Sequence, residues 1–214
     1  QRNFTEPLFV FAIMIVAGSK PILYFSTQIL YGLARALQKL LRSRSAPILY
    51  FLTLGITPLL GSLITEPAAM TLAAFLLRDL VYRHQGSKVL LFGTLGVLFV
   101  NISIGGTLTN FAAPPVLMVA STWGWSSAFM FSHFGIESCI AIFINSLGAT
   151  LLFHKQLVEP SEESKPAKIP LAVIAMHLLF LLGVVIFAHD PIIFMWLLLF
   201  FIGYTIAYPK HQSP

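Results

Sequence analysis

The chain contains little charge and almost no cysteine. Of its 214 residues only 10% are charged and 57% are hydrophobic, whereas a soluble domain has about 25% charged and about 45 to 50% apolar residues. This composition excludes a protein that folds with water as its main solvent. The single cysteine, Cys139, excludes an internal disulfide and a cysteine-based metal site. It lies in an apolar run, where it is expected to be a small packing residue.

The basic residues do not indicate a nucleic-acid partner, although the net charge is +5. They lie in short loops beside hydrophobic runs, where lysine and arginine set the orientation of a membrane protein. A helix that crosses the hydrocarbon core needs about 20 apolar residues, so the chain is long enough for about six or seven crossings. We therefore predict an all-α, polytopic membrane helix bundle whose partner is the lipid bilayer. Gln1 is not a start methionine and no signal peptide is evident, so we expect the sequence to be a fragment of a longer chain.

Apolar runs and polar interruptions divide the chain into segments. The predicted segments are scaffold helices in 4–41, a hairpin in 46–77, a broken helix in 89–123, a helix in 126–153, a cytoplasmic linker in 154–168, and two further transmembrane helices in 169–214. The hairpin and the broken helix interrupt otherwise apolar runs, so they are the segments expected to hold a site.

The run 46–77 is too long for one comfortable crossing and contains Thr65-Glu66-Pro67 beyond its middle. Proline lacks an amide hydrogen and disfavours helix at the residue before it, so a break is predicted near Glu66. Basic loops flank the run on both sides. Because basic loops favour the cytoplasmic side, both ends of the run are expected there, and the segment is predicted to be a re-entrant hairpin.

Glu66 is the strongest candidate for a functional residue. A charged side chain in the middle of a membrane costs about 2.5 to 3.5 kcal/mol on insertion scales, and such residues are functional candidates by default. The carboxylate, the hydroxyl of Thr65 and carbonyl groups freed by Pro67 are predicted to form part of a cation or proton site. The alternative is a protonated or paired glutamate with a structural role.

A second interruption contains two glycines and two prolines. It runs from Gly105-Gly106 to Pro114-Pro115, and glycine permits unusual backbone angles while proline starts a new helix. A discontinuous helix is predicted, with backbone groups exposed near the membrane midplane. Its carbonyl groups are candidate oxygen ligands for an alkali cation or a polar substrate. Further candidates are the side chains of Asn101, Thr107, Thr109 and Asn110. The alternative is a kinked helix whose glycines allow close packing.

His133 and Glu137 lie four residues apart, on one face of a predicted helix. They are candidates for a secondary proton relay, and a membrane enzyme would use the same pair. The sequence offers neither a nucleophile nor a second histidine for a metal beside them, so a structural pair is favoured. His177 stands alone in an apolar helix and is expected to be a packing residue.

The hairpin tip Thr65-Glu66-Pro67 and the loop from Gly105-Gly106-Thr107 to Pro114-Pro115 together resemble the ion transporter superfamily. Within it, the sequence around the tip and the glycines is most similar to a bacterial family of sodium/proton antiporters, and the resemblance covers 46–153 best. Symporters of the superfamily carry Ser-Asn-Thr at the tip, so Glu66 stands where they have a neutral asparagine. The resemblance therefore implies a cation or proton at the tip rather than a dicarboxylate, and it extends the binding role to the loop.

The resemblance implies a secondary active transporter of the bacterial inner (plasma) membrane, with sodium/proton antiport as the activity. Na+ and/or H+ would be the transported ions, with no cofactor, no resident metal and no enzymatic activity. A sodium-coupled anion symporter or anion permease is the alternative. Residues 1–153 would form one of two inverted repeats, its partner repeat is expected beyond Pro214, and a homodimer is one option for the assembly. The hairpin and the broken helix would move as a unit.

Overall fold

The structure, a computed structural model, describes residues 5–41, 45–83, 87–159, 169–187 and 190–211. The α-helices in these ranges are α1 (Thr5–Ala17), α2 (Lys20–Leu41), α3 (Ser45–Ile64), α4 (Glu66–Leu77), α5 (Lys88–Gly105), α6 (Pro114–Trp123), α7 (Ser127–Phe153), α8 (Leu171–Ile186) and α9 (Pro191–Ala207). A π-helical turn, Arg78–Tyr82, follows α4, and 3-10 turns cover Gly106–Leu108 and Pro209–His211. Since every regular element in the described ranges is helical, the predicted all-α fold is confirmed.

The helices have the length and composition of membrane spans. Three of them qualify by themselves, namely α3, α5 with the turn that follows it, and α7. The helices α1 and α2, which are bent by 64° at their junction, would together make a fourth span, and α4, α8 and α9 are shorter apolar helices. Large apolar side chains such as Phe131 and Ile136 of α7 are exposed, as expected for a surface that meets lipid. The predicted polytopic membrane bundle is confirmed.

The chain divides into two compact units, of which the first contains residues 1–26 and 166–214. In this unit α1 packs against α8 and α9. His177 of α8 is fully buried and meets the ring of Phe201 edge to face, with ring centroids 5.2 Å apart. The imidazole is therefore part of the apolar core of this unit.

The second unit contains residues 27–165, and α3 is its central helix. It packs against α4, α5 and α7. Within the most apolar stretch of each helix, 67% of residues are buried in α3, compared with 39% in α5 and 28% in α7. The hairpin arm α3 therefore forms the core of this unit, while much of the surface of α5 and α7 is not buried within it.

The helices α3 and α4 fold back on each other around one non-helical residue, Thr65. A Cβ atom added to Gly61 would lie 3.1 Å from the Cβ of Ala69, although eight residues of continuous helix rise about 12 Å. Pro67 is in the first turn of α4, where the missing amide hydrogen costs nothing. The break therefore falls one residue before Glu66, which becomes the first residue of α4.

The two arms of the hairpin begin and end at the same end of this unit. Glu159, which follows α7, accepts a hydrogen bond from the amide of Ala46 at the start of α3 (3.1 Å). The neighbouring amide of Val158 donates to the carbonyl of Leu80, just after α4 (3.5 Å). The start of α3 and the chain after α4 are therefore both held by the segment that leaves α7.

The helix that was predicted to be discontinuous is interrupted after Gly105. A 3-10 turn follows, and Thr109 and Ala113 have extended backbone angles before α6 begins at Pro114. At Gly105 the backbone of α5 lies directly against that of α3, because an added Cβ atom would be only 2.5 Å from the carbonyl carbon of Pro58. The interruption is thus a true unwound loop between two helices, and a glycine makes its close approach to α3 feasible.

Candidate functional site

The hairpin tip and the unwound loop are in direct contact within the second unit. The amide of Glu66 donates to the carbonyl of Ala112 in the loop (3.1 Å). The hydroxyl of Thr109 donates to the carbonyl of Ser62, at the end of α3 (2.8 Å). The structure therefore brings together the two interruptions that are far apart in the sequence, and their free backbone groups bond to each other across the break.

The carboxylate of Glu66 lies beside the glycine pair. Its Oε1 accepts a hydrogen bond from the hydroxyl of Ser103 (3.2 Å), and its Cδ would be 3.8 Å from a Cβ atom added to Gly106. In the described part of the chain no lysine, arginine or histidine forms an ion pair with this carboxylate, so the alternative of a charge-paired structural glutamate finds no support. Glu66 is half-buried and Ser103 is exposed, so one side of the carboxylate is open to an ion.

Thr65 combines backbone strain with an unused buried hydroxyl. Its φ of 80° and ψ of 153° fall in a region that is essentially restricted to glycine, and such angles are a genuine outlier for a β-branched residue. The side chain is 1% exposed, and its hydroxyl has no hydrogen-bond partner among the described residues. Strain and an unsatisfied polar group at one residue are typical of a functional site, because the fold gains nothing from either.

Asn101 is buried and its side chain is fully engaged with the protein. The amide nitrogen Nδ2 donates to the carbonyl of Leu54 (2.9 Å) and to the hydroxyl of Ser146 (3.0 Å), while Oδ1 accepts from Asn145 (3.0 Å). The carbonyl of Leu54 needs this donor, because its partner in a regular helix would be the amide of Pro58, which does not exist. Asn101 therefore completes the interrupted hydrogen bonding of α3 and joins α3, α5 and α7.

Because Asn101 substitutes for the missing amide of Pro58, we expect the two positions to be energetically coupled. Asn101→Leu leaves the carbonyl of Leu54 unsatisfied and should lower the free energy of unfolding by about 1 to 3 kcal/mol. In a Pro58→Ala background the new amide can serve that carbonyl, so the cost of Asn101→Leu should fall by about 1 kcal/mol. Unfolding of the purified protein in detergent measures both.

Asn145→Ala is the matched control for this cycle, because it removes a bond to Asn101 but leaves the bond between Asn101 and Leu54 intact. Its cost should be the same with and without Pro58→Ala. Equal costs for Asn101→Leu in the two backgrounds would show that the asparagine does not compensate for the proline.

The other polar residues of the loop hold it in place. The hydroxyl of Thr107 donates to the carbonyl of Ile104 (2.7 Å) and lies 3.3 Å from the hydroxyl of Ser138. Asn110 is bonded to the start of α7, where its Oδ1 accepts from Ser127 (2.6 Å). Both side chains thus tie the loop to its own turn or to α7, and neither is bonded to Glu66.

Ser103 is the site residue that the sequence interpretation missed. Its donation to Glu66 spans 37 residues of sequence, so no local pattern could reveal it. The available signal was weak: a polar residue in the last turn of an apolar helix, two residues before a glycine pair.

The structure does not pair His133 with Glu137. The Nδ1 of His133 lies 3.0 Å from the carbonyl of Phe129 and 3.0 Å from the hydroxyl of Ser132, and its ring stacks on Phe129. Within the described ranges no hydrogen bond or ion pair joins His133 to Glu137. Glu137 instead lines a cavity together with Thr107 and Pro115, so the relay remains a prediction without a contact to support it.

An all-helical membrane fold in which a carboxylate-bearing hairpin tip meets an unwound loop has the features of an ion transporter. A family model described as "Putative Na+/H+ antiporter" matches residues 1–214. The chain belongs to this family of antiporters, which confirms the resemblance seen in the sequence. Neither a curated protein nor a solved structure gives a significant match to the chain.

Proposed function

We propose that the protein exchanges sodium ions for protons across a bacterial inner membrane, and that the carboxylate of Glu66 binds the two ions alternately. The observation that carries this proposal is the arrangement of Glu66: it accepts one hydrogen bond from Ser103, is held against the unwound loop through its amide, and has no cationic partner in the described chain. Membership of the antiporter family supports the choice of ions.

The chemistry of the site supports competition between the two ions. Sodium is a hard cation that prefers oxygen ligands, and the carboxylate of Glu66, the hydroxyl of Ser103 and the unused hydroxyl of Thr65 belong to adjacent parts of the site. A bare carboxylate at membrane depth is costly, so the favoured states carry either a sodium ion or a proton. An ion that leaves on one side is then replaced by the other kind, which is exchange.

We further propose that the hairpin is re-entrant from the cytoplasmic side. The start of α3 and the chain after α4 lie at one end of the unit. The chain after α4 carries the basic residues Arg78, Arg83 and Lys88. Basic residues favour the cytoplasmic face. A second, inverted repeat outside residues 1–214 would then cover the open side of Glu66 and complete the site, and a homodimer is compatible with this arrangement.

The direct test is to reconstitute the full-length protein in liposomes that contain a pH-sensitive dye. A sodium pulse outside should raise the internal pH, because each sodium ion that enters is exchanged for protons that leave. Liposomes without protein should show no change in internal pH. If sodium leaves the internal pH unchanged but drives uptake of a labelled dicarboxylate, the protein is an anion symporter and the proposal is wrong.

Thr65→Gly should make the protein more stable and bind sodium less tightly. Glycine relieves backbone strain of about 1 to 3 kcal/mol but costs about 0.5 to 1 kcal/mol in backbone entropy, so a net gain of about 1 kcal/mol in the free energy of unfolding is expected. The loss of the hydroxyl should raise the sodium concentration needed for half-maximal exchange. Thr65→Ser, which keeps the hydroxyl, is the control and should retain sodium affinity; equal affinities in all three proteins would remove Thr65 from the site.

A further inference from the structure

A cavity of about 550 Å³ lies between the end of α5, α6 and α7, on the side of the unwound loop that carries Thr107. Eight of its eleven lining residues are apolar, and the three polar ones are Thr107, Glu137 and Ser138. Pockets of about 300 to 1,000 Å³ with mostly apolar walls and a few polar groups are typical of small-molecule sites. The cavity therefore has the size and composition of a ligand site.

Glu137 gives this cavity a negative charge. Its carboxylate has neither an ion pair nor a hydrogen bond with any residue in the described ranges, although it borders apolar walls. An occupant of positive charge would neutralise it. A metal cation is a poor fit, because it requires several oxygen ligands and most of the lining offers none.

The aromatic residues of the cavity favour an organic cation. Trp125 and Phe134 both line it, and their ring centroids are 5.7 Å apart. Aromatic rings attract an ammonium group through the negative potential of their faces, and they also pack against hydrocarbon. Met130 adds a flexible apolar surface that adapts to the shape of a ligand.

The two hydroxyl groups of the cavity are placed together. The hydroxyl of Thr107, in the unwound loop, lies 3.3 Å from the hydroxyl of Ser138 in α7. Ser138 directly follows Glu137 in the sequence. Hydroxyl oxygens accept hydrogen bonds from an ammonium group. The polar part of the cavity thus combines one carboxylate with two acceptors.

We propose that this cavity binds an amphipathic organic cation, a protonated amine with an apolar body, with Glu137 as its counter-ion. Thr107 lines the cavity and follows Gly106, which faces Glu66, while Glu66 itself is not among the lining residues. Slower sodium/proton exchange in its presence follows only if the proposed function is correct, whereas binding itself does not depend on it.

The test compares 4-phenylbutylammonium with 4-phenylbutanol, which has the same apolar body without the charge. Calorimetric titration of the purified full-length protein should show that the ammonium binds at least about tenfold more tightly than the alcohol, since hydrogen bonds to charged groups contribute that much. Glu137→Gln should abolish this preference and leave alcohol binding unchanged. Glu137→Asp keeps the charge and should retain part of the preference, which separates loss of charge from loss of fold.

Glu66→Gln is the matched control, because it removes a carboxylate that does not line the cavity and should leave ammonium binding unchanged. Equal binding of the two probes to the wild type, or a preference that survives in Glu137→Gln, would mean simple partition into detergent and would overturn the proposal. Loss of ammonium binding in Glu66→Gln alone would assign the cation to the ion site and overturn it as well. The titration measures binding and not transport. A failure of this binding proposal is therefore distinguishable from a failure of the proposed sodium/proton exchange.

Discussion

Glu66→Gln should reduce sodium-dependent proton flux to the level of liposomes without protein. Glutamine has nearly the same shape and can still accept the hydrogen bond from Ser103. It cannot bind a proton at physiological pH and it carries no negative charge for sodium. Both half-reactions of the exchange therefore lose their binding group, while the contact between the hairpin tip and the loop, which uses the amide of residue 66, is preserved.

The measurement is the pH change inside proteoliposomes after a sodium pulse, with equal amounts of folded protein in each sample. Glu66→Asp retains a carboxylate that is one methylene shorter, so exchange should remain detectable at a higher sodium concentration. Glu159→Gln removes a carboxylate outside the site, in the segment after α7, and should exchange at nearly the wild-type rate. Wild-type flux in Glu66→Gln would show that another group exchanges the ions.

Among the described glycines of the second unit, Gly105 should be the least tolerant of replacement by alanine. The new Cβ atom would overlap the carbonyl oxygen of Pro58 and lie 2.5 Å from its carbonyl carbon. These are backbone atoms, so neither can rotate away, and α3 and α5 must separate. Overpacking of this kind costs about 1 to 3 kcal/mol and sometimes more. The shift would also disturb the bond from Asn101 to Leu54, which crosses the same interface.

Gly96→Ala is the control for this prediction because Gly96 lies in the same helix and an added Cβ atom would meet nothing within 4 Å. Alanine has a better helix propensity than glycine by about 1 kcal/mol, so this variant should be as stable as the wild type or slightly more stable. The free energy of unfolding in detergent measures both variants. Equal stability of Gly105→Ala and Gly96→Ala would contradict the close approach of α3 and α5.

Local features of the sequence were enough to predict the architecture. The scarcity of charge required a membrane fold, Pro67 required a break near Glu66, and the Gly105-Gly106 pair with Pro114-Pro115 required an interrupted helix. Each of these signals acts within a few residues of the backbone it affects, so it can be read without knowledge of distant contacts. The exact residue of the first break, Thr65, depended on whether Pro67 could be accommodated inside the first turn of α4.

The partners of the site residues could not be read in the same way. Asn101 was predicted to be a ligand, and only the packing of α3 against α5 shows that it serves the carbonyl that Pro58 leaves free, 47 residues away. Ser103 was missed because its contact with Glu66 spans 37 residues. Side chains that look alike in an apolar helix differ in function according to what faces them.

The sequence by itself determined that this protein is a helical membrane protein with two broken segments and a carboxylate at one of them. These properties follow from hydrophobicity and from the backbone chemistry of proline and glycine, which are local. The tertiary structure decided that the two segments meet, that Thr65 is strained beside Glu66, and that the hydroxyl of Ser103 contacts the carboxylate. Those facts depend on which helix faces meet across tens of residues of sequence, and packing alone selects them.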